Sequence, residues 1–193
     1  MPNSILIIDG HPDPDPGRFC HALARSHEHG ARAAGREVRI LRLAELNLPT
    51  LRSRQEWETG MVPEAVRSAQ QAIIAAQHLV IIYSLWLGSI PALLKAFFEQ
   101  AFPPGFAIEE GSRTLWPGKL TGKSARVVIT MGMPAYIYRW FFGAHSLKSL
   151  ERNILRFAGI RPIRETLIGS VEGKAITREK WLGKMKALGD AGI

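Results

Sequence analysis

Apolar positions along this chain follow two alternating rhythms. Near-continuous apolar runs at Ser4–Ile8 (SILII), Leu79–Tyr83 and Ala125–Thr130 (ARVVIT) read as strands buried on both faces. Glu37–Leu43 (EVRILRL) alternates strictly, as a strand with one face partly wet does, and a fifth strand is expected around Arg164–Gly169. Between the strands the apolar residues recur at helical spacing. Arg18–Ala34 reads as a helix stopped by Gly35, and Pro63–Gln77 as a helix opened by Pro63, with Val66, Ala69 and Ile73 in one row. Ile90–Phe102 has the broadest apolar face, made by Ile90, Leu93, Leu94, Phe97, Phe98 and Ala101. His145–Phe157 and Thr177–Leu188 complete the series. Residues 44–62, broken by Pro49 and Gly60, read as irregular. Pro103–Gly122, which carries Phe106 and Trp116, and Met131–Gly143 read as long loops rich in bulky residues.

Strands that alternate with helices imply a parallel sheet covered on both faces by right-handed crossovers. Five strands in 193 residues imply an α/β, doubly wound, flavodoxin-like sheet of order 2-1-3-4-5 in one domain spanning residues 1–193. Ligands of such sheets bind outside the carboxyl ends of the strands. That rule directs attention to the loops after the first, third and fourth strands.

Composition narrows the class only slightly. The chain is 46% hydrophobic and 22% charged, as ordinary globular proteins are. Its one cysteine, Cys20, excludes an intrachain disulfide and suits a reducing compartment, so the cytoplasm is the expected location. No apolar run reaches the roughly 20 residues that span a bilayer. The net charge of +8 raises the question of nucleic acid. The basic residues are dispersed, however, and their clearest row, Arg18, Arg25 and Arg32, reads as a solvated helix face. No nucleic-acid partner is expected, and attraction for anionic cofactors and substrates accounts for the charge.

The first loop, Gly10-His11-Pro12-Asp13-Pro14-Asp15-Pro16-Gly17-Arg18-Phe19, leads from strand into helix. A helix N-terminus offers unpaired N–H groups and the positive end of the dipole, a phosphate site to which His11 and Arg18 can add hydrogen bonds. Asp13 and Asp15 work against an anion unless they point away; alternatively the segment is a proline-stiffened turn. The second loop, Ser84–Ser89, holds Leu85, Trp86 and Leu87 where a mere connection would be polar, which suits a flat heteroaromatic ring. Core or dimer-interface roles for Trp86 and Leu87 fit their chemistry equally well. The third loop, Thr130-Met131-Gly132-Met133, can approach a ligand closely at Gly132. Tyr138 and His145 follow it as candidate reactive groups, or as structural ones. A phosphate cradle, a flat apolar slot and a glycine turn together match a mononucleotide with a fused ring system. Flavin mononucleotide (FMN) is the natural candidate. The absence of G-x-G-x-x-G after the first strand disfavours a dinucleotide fold.

Three motifs resemble one known family. They are Gly10-His11-Pro12 with Arg18-Phe19-Cys20-His21-Ala22-Leu23; Ser84-Leu85-Trp86 with Ile90-Pro91-Ala92-Leu93-Leu94-Lys95; and Tyr138 with Phe142-Gly143-Ala144-His145-Ser146-Leu147. From about the first strand to residue 173 the chain resembles the flavodoxin-like NAD(P)H:quinone oxidoreductases of the DT-diaphorase type, closest to their bacterial general-stress or drug-modulator branch. The resemblance implies a flavoenzyme in which bound flavin accepts a hydride from NAD(P)H and passes it to a quinone or similar flat acceptor, two electrons at a time and in ping-pong order. It places His11, Arg18, Phe19 and Cys20 around the flavin phosphate and ribityl chain, Ser84, Leu85, Trp86 and Leu87 along the ring, and Thr130, Met131, Gly132 and Met133 over it. Tyr138 falls on the tyrosine, and His145 one residue off the histidine, that stabilise charge on the reduced flavin. FAD remains possible, but the C-terminal extension that helps hold its adenine half in the animal enzymes is absent. A homodimer is implied too, with Pro103–Gly122 and Tyr136–Phe142 as the contact candidates.

Relatives of this fold also serve as regulatory subunits of membrane potassium efflux systems, which leaves a peripheral membrane partner as the alternative reading. A one-electron carrier is a third, disfavoured because flavodoxins are usually acidic. Gly118–Ser124 looks like a phosphate-binding P-loop but is one residue short and leads into a strand. His21, His27 and His29 lack metal-ligand spacing, and no metal site is expected.

Overall fold

The structure, a computed structural model, describes residues 2–107 and 118–193. Five strands form one parallel sheet: β1 (Ser4–Asp9), β2 (Glu37–Arg42), β3 (His78–Ser84), β4 (Ser124–Thr130) and β5 (Ile163–Ile168), in the order β2-β1-β3-β4-β5. The strand order is the one expected from the alternation. Register brings Asp9 level with Ile82 and Ser84 level with Thr130, so β1, β3 and β4 end close together at one edge of the sheet.

Alternating side chains divide the core. Leu6, Ile8, Leu79, Ile81, Tyr83, Val127 and Ile129 face one side. They pack there against α3 (Glu64–Ala75), α4 (Ala92–Ala101) and α5 (His145–Ser149). Ile5, Ile7, Val80, Ile82 and Val128 face the other side, under α1 (Phe19–Ala33) and α6 (Ala175–Ala191). The central strands are buried on both faces, which is why they read as unbroken apolar runs. β2 lies at the edge and alternates.

Four expectations need correction. Residues 44–62 are not wholly irregular, because Arg54–Thr59 forms a short helix, α2. Its start is a side-chain cap: Ser53 Oγ accepts from Glu56 N at 3.1 Å, and the Glu56 carboxylate accepts from Arg52 N at 2.8 Å. This is a variant of the capping box, and Ser53-Arg54-Gln55-Glu56 carries its sequence signature. The expected helix His145–Phe157 is α-helical only through Ser149 and continues as a wider π-helical stretch over Leu150–Arg156. The loop Met131–Gly143 contains a π-helical turn of its own, Ile137–Phe141. The last helix is longer than expected, Ala175–Ala191 instead of 177–188. Trp116 and positions 108–117 of the long loop lie outside the described residues. Among the described residues, no helix is long and apolar enough to cross a membrane.

Candidate functional site

The three loops singled out in the sequence meet at the carboxyl edge. β1 ends in Asp9, a fully buried carboxylate. Gly10 follows, its N–H donating to Ile82 O at 2.8 Å; a Cβ there would press on the Leu94 side chain at 3.0 Å. The chain then turns at His11, whose ring lies edge-on to Trp86 of the second loop with 6.3 Å between ring centroids. This contact joins the first loop to the second.

Asp9 is paired with His21, one turn into α1. Their buried side chains approach to 2.5 Å between Oδ2 and Nδ1, and His21 Nε2 lies 2.9 Å from the Asp13 carbonyl. That carbonyl can only accept, so Nε2 donates to it, leaving Nδ1 for Asp9. Asp9 Oδ1 also accepts from His11 N at 3.3 Å. The pair therefore clamps the loop from His11 to Asp13 onto the end of β1 and the start of α1. Sequence reasoning missed both residues. Asp9 is the one charged residue of a largely apolar strand, but nothing in a 12-residue separation shows that a proline-rich loop folds His21 back onto it.

The same loop settles what Asp13 and Asp15 do. Asp13 Oδ1 accepts from Asp15 N and Asp15 Oδ1 accepts from Gly17 N, both at 2.9 Å. Arg18 bridges both carboxylates, at 2.6 Å and 3.5 Å. The Asp15 N–H and the Arg18 guanidinium hold the Asp13 carboxyl below its usual range. Each acidic side chain is thus occupied by its own loop. Arg18 is likewise occupied and is not the free cation its position suggested. Arg25 donates to Pro16 O and Arg32 pairs with Glu28, so the arginine row stabilises its own helix and loop. His11 accepts from Asp13 N through Nδ1 at 3.2 Å, which assigns its hydrogen to Nε2. Burial lowers its pKa, partly offset by that hydrogen bond, so His11 is a neutral donor. The first intrahelical bond at the start of α1 is Ala22 N to Arg18 O. The N–H groups of Phe19, Cys20 and His21 precede it and have no helical acceptor.

Cys20 lies beneath these groups, 1% exposed. Its Sγ sits 3.3 Å from Ser84 Oγ and 3.4 Å from Thr130 Oγ1, and those two oxygens are 3.0 Å apart. The three side chains tie α1 to the ends of β3 and β4. Burial pushes the thiol pKa up to about 11, so Cys20 stays protonated and acts through packing and hydrogen bonding. Ser84 is the last residue of β3 rather than the first of a loop.

In the second loop, Leu85 N donates to Thr130 O at 2.8 Å. Trp86 and Ser89 exchange backbone hydrogen bonds of 3.0 and 2.8 Å around a two-residue tip. Both tip residues have positive φ, 47° at Leu87 and 75° at Gly88, the signs of a type I′ turn. The N–H groups of Leu85 and Trp86 are thus engaged, and only those of the tip remain for a ligand. Leucine rarely adopts this conformation. Here Leu87 is held fully exposed beside a half-exposed Trp86.

In the third loop, Thr130 and Met131 are buried, Met131 N donates to Ile168 O at 2.9 Å, and Gly132 is exposed. Met133 is partly buried against the core. Tyr138 does not reach the surface. It is 1% exposed; its hydroxyl accepts from Leu147 N at 3.1 Å and lies 2.6 Å from Ser146 Oγ. His145 is exposed, its ring folded beneath Gly143. The π-helical turn points its aromatics in three directions: Tyr138 inward, Tyr136 and Trp140 toward β5 and α6, and Phe141 and Phe142 outward as an edge-on pair 5.0 Å apart. Beside the second loop an open cavity of about 460 Å³ runs between α4 and the 145–156 helical stretch, with Trp86, Leu87 and Ile90 at its mouth.

The model of a family described as having a flavodoxin-like fold matches residues 3–188. The chain belongs to this flavodoxin-like family. A curated relative from Haemophilus influenzae, named an uncharacterized NAD(P)H oxidoreductase, is 28% identical over 171 residues, 86% of this chain and 83% of the relative. The solved NAD(P)H:quinone oxidoreductase of Methanothermobacter marburgensis is similar with a TM-score of 0.84 at 22% identity, covering 98% of each chain. An FMN-dependent NADH-azoreductase from Bacillus anthracis, solved in complex with FMN, gives a TM-score of 0.79 at 16% identity, again over 98% of both chains. At these identities the two solved structures are evidence for the fold alone.

Proposed function

We propose that this flavodoxin-like protein is a flavin-dependent NAD(P)H oxidoreductase that uses FMN and reduces a quinone or another flat acceptor. One observation carries the reading. The unpaired N–H groups at the start of α1 and the apolar wall of Trp86 converge on one edge of the sheet, linked by the neutral donor His11. An anionic terminus suits the first and a fused aromatic ring the second. The residues fit FMN in a further respect: the carboxylates that would repel a phosphate are already bound to the loop's own N–H groups and to Arg18. The names of the relatives, an NAD(P)H oxidoreductase, a quinone oxidoreductase and an FMN-dependent azoreductase, run in the same direction.

When bound, the flavin supplies the hydride chemistry, taking a hydride from a nicotinamide and yielding it to an acceptor. The chain's part is to bind and orient. The N–H groups of Phe19 and Cys20, with His11 Nε2, hold the phosphate end. Trp86 and Leu87 form the wall of the ring slot, and Thr130–Met133 its other side. The N–H groups of Leu87 and Gly88, left without a backbone acceptor at the tip, would offer donors to a negative ring edge. Tyr138 is a positioning residue, because its hydroxyl is committed to Ser146 and Leu147. His145, exposed at the start of α5, is the side chain left to touch an acceptor. A single buried cysteine fits a reducing compartment such as the cytoplasm.

Because the site joins a phosphate cradle to a ring slot, FMN should bind at least tenfold more tightly than riboflavin, which lacks the phosphate. Quenching of flavin fluorescence on titration measures both. Equal affinities would remove the α1 cradle from the account. We further propose a homodimer through Phe141, Phe142 and Leu87, exposed large apolar groups. Light scattering should give twice the chain mass, and Phe141→Glu/Phe142→Glu should halve it. A monomeric parent chain would refute the assignment.

A further inference from the structure

A second cavity, about 450 Å³, opens on the β5 side of the sheet, between β4, β5, the Ile137–Phe141 turn and α6. Arg126 forms part of its wall and is 6% exposed. Buried arginines nearly always pair with a carboxylate. Among the described residues, Arg126 has no such partner. Its Nη1 donates to Thr166 Oγ1 at 2.8 Å, and its Nε has no acceptor. The one carboxylate in the cavity wall, Glu165, is engaged by Arg139. Lys184 stands at the rim with its Nζ 4.6 Å from the Trp181 ring centroid. Three cationic side chains therefore surround a space whose other walls include Trp181, Trp140 and Tyr136. Burial and the neighbouring Arg164 both work against the Arg126 charge, so an incoming anion relieves a standing penalty.

We propose that this cavity is a second binding site, separate from the loop cluster, for a small planar organic carboxylate. The carboxylate pairs with the Arg126 guanidinium, whose flat fork matches it. The ring lies among Trp181, Trp140 and Tyr136, and Lys184 closes the rim. A volume of this size falls in the range of small-molecule sites. The proposal does not depend on the flavin reading: Tyr136 and Trp140 share the loop that follows β4 with Thr130–Met133, but they face β5 and α6, and Arg126, Trp181 and Lys184 lie outside the three loops.

Calorimetric titration of the full chain with 2-naphthoate, and with neutral 2-naphthamide of the same shape, tests it. Naphthoate is expected to bind saturably and at least tenfold more tightly than the amide, with and without saturating FMN. Arg126→Leu should reduce naphthoate to the amide's level, and Lys184→Glu should weaken it by at least threefold. Equal binding of acid and amide, loss of binding when FMN is present, or unchanged affinity in Arg126→Leu would overturn the site. If Arg126→Leu does not fold, Lys184→Glu decides alone: an unaltered naphthoate affinity there refutes the proposal.

Discussion

Asp9→Ala is expected to destabilise the protein by roughly 2–3 kcal/mol, the penalty for leaving one partner of a buried hydrogen-bonded pair unsatisfied. Asp9 is fully buried and His21 nearly so. Without the carboxylate, His21 Nδ1 faces an apolar pocket with no acceptor, and the His11 N–H loses its 3.3 Å hydrogen bond. In a chain of this length each kcal/mol moves Tm by about 2–4 °C, so a fall of about 4–12 °C should appear in a thermal melt. Asp9→Leu/His21→Leu should recover part of the loss, because no unpaired polar group is left behind. The pair also fixes the path from His11 to Asp13, so Asp9→Asn, which keeps the shape, should still weaken FMN by tenfold or more. A change in Tm below about 2 °C for Asp9→Ala would show that the contact is not a clamp.

The second large effect is acid sensitivity between about pH 6.5 and about pH 4. His27, on α1, and His78, the first residue of β3, lie near one another on the α1 and α6 face of the sheet, and burial lowers each from 6.5 to about 4. The Ile193 carbonyl, which accepts from His27 Nε2, works the other way, but the charged neighbours reinforce the shift. Arg126 faces both, and His27 and Arg164 also act on His78. His27 Nδ1 and His78 Nε2 are buried without partners, so neither ring can take up a proton and hydrogen-bond it. In the unfolded chain both histidines protonate near 6.5, while in the fold they resist until about pH 4. Over that window the unfolded state binds more protons, so stability rises with pH and is lost as pH falls. At about pH 5 each histidine should cost roughly 2 kcal/mol relative to about pH 7.5. Urea midpoints at the two pH values measure the loss, and His27→Leu/His78→Leu should remove most of the difference. A parent chain equally stable at both would contradict the burial argument.

These two features mark the boundary of what can be read from the chain. The five strands were legible because burial on both faces writes an unbroken apolar run, and an edge position writes alternation. The three site loops were legible because strand order alone brings them together. The Asp9–His21 pair was not, since it depends on the route of a proline-rich loop. Tyr138 falls, by resemblance, on a tyrosine that stabilises charge on the reduced flavin, yet the π-helical turn, with its different angular step, leaves it buried in the core. Arg18 looked like a free cation because only the folded loop brings Asp13 and Asp15 onto it. The helix at Arg54–Thr59 could have been found: Ser53 and Glu56 carry the capping signature, though Pro49 and Gly60 dominated the reading.

The central claim is that the three-loop edge binds a flavin and uses it with a nicotinamide. The most direct measurement is the visible spectrum of the FMN-loaded protein under anaerobic conditions, taken before and after one equivalent of NADH or NADPH and again after a quinone is added. A flavin band that bleaches with at least one of the two nicotinamides and returns with the quinone is expected. Protein that gains no flavin absorbance, or a band that neither nicotinamide bleaches, would contradict it.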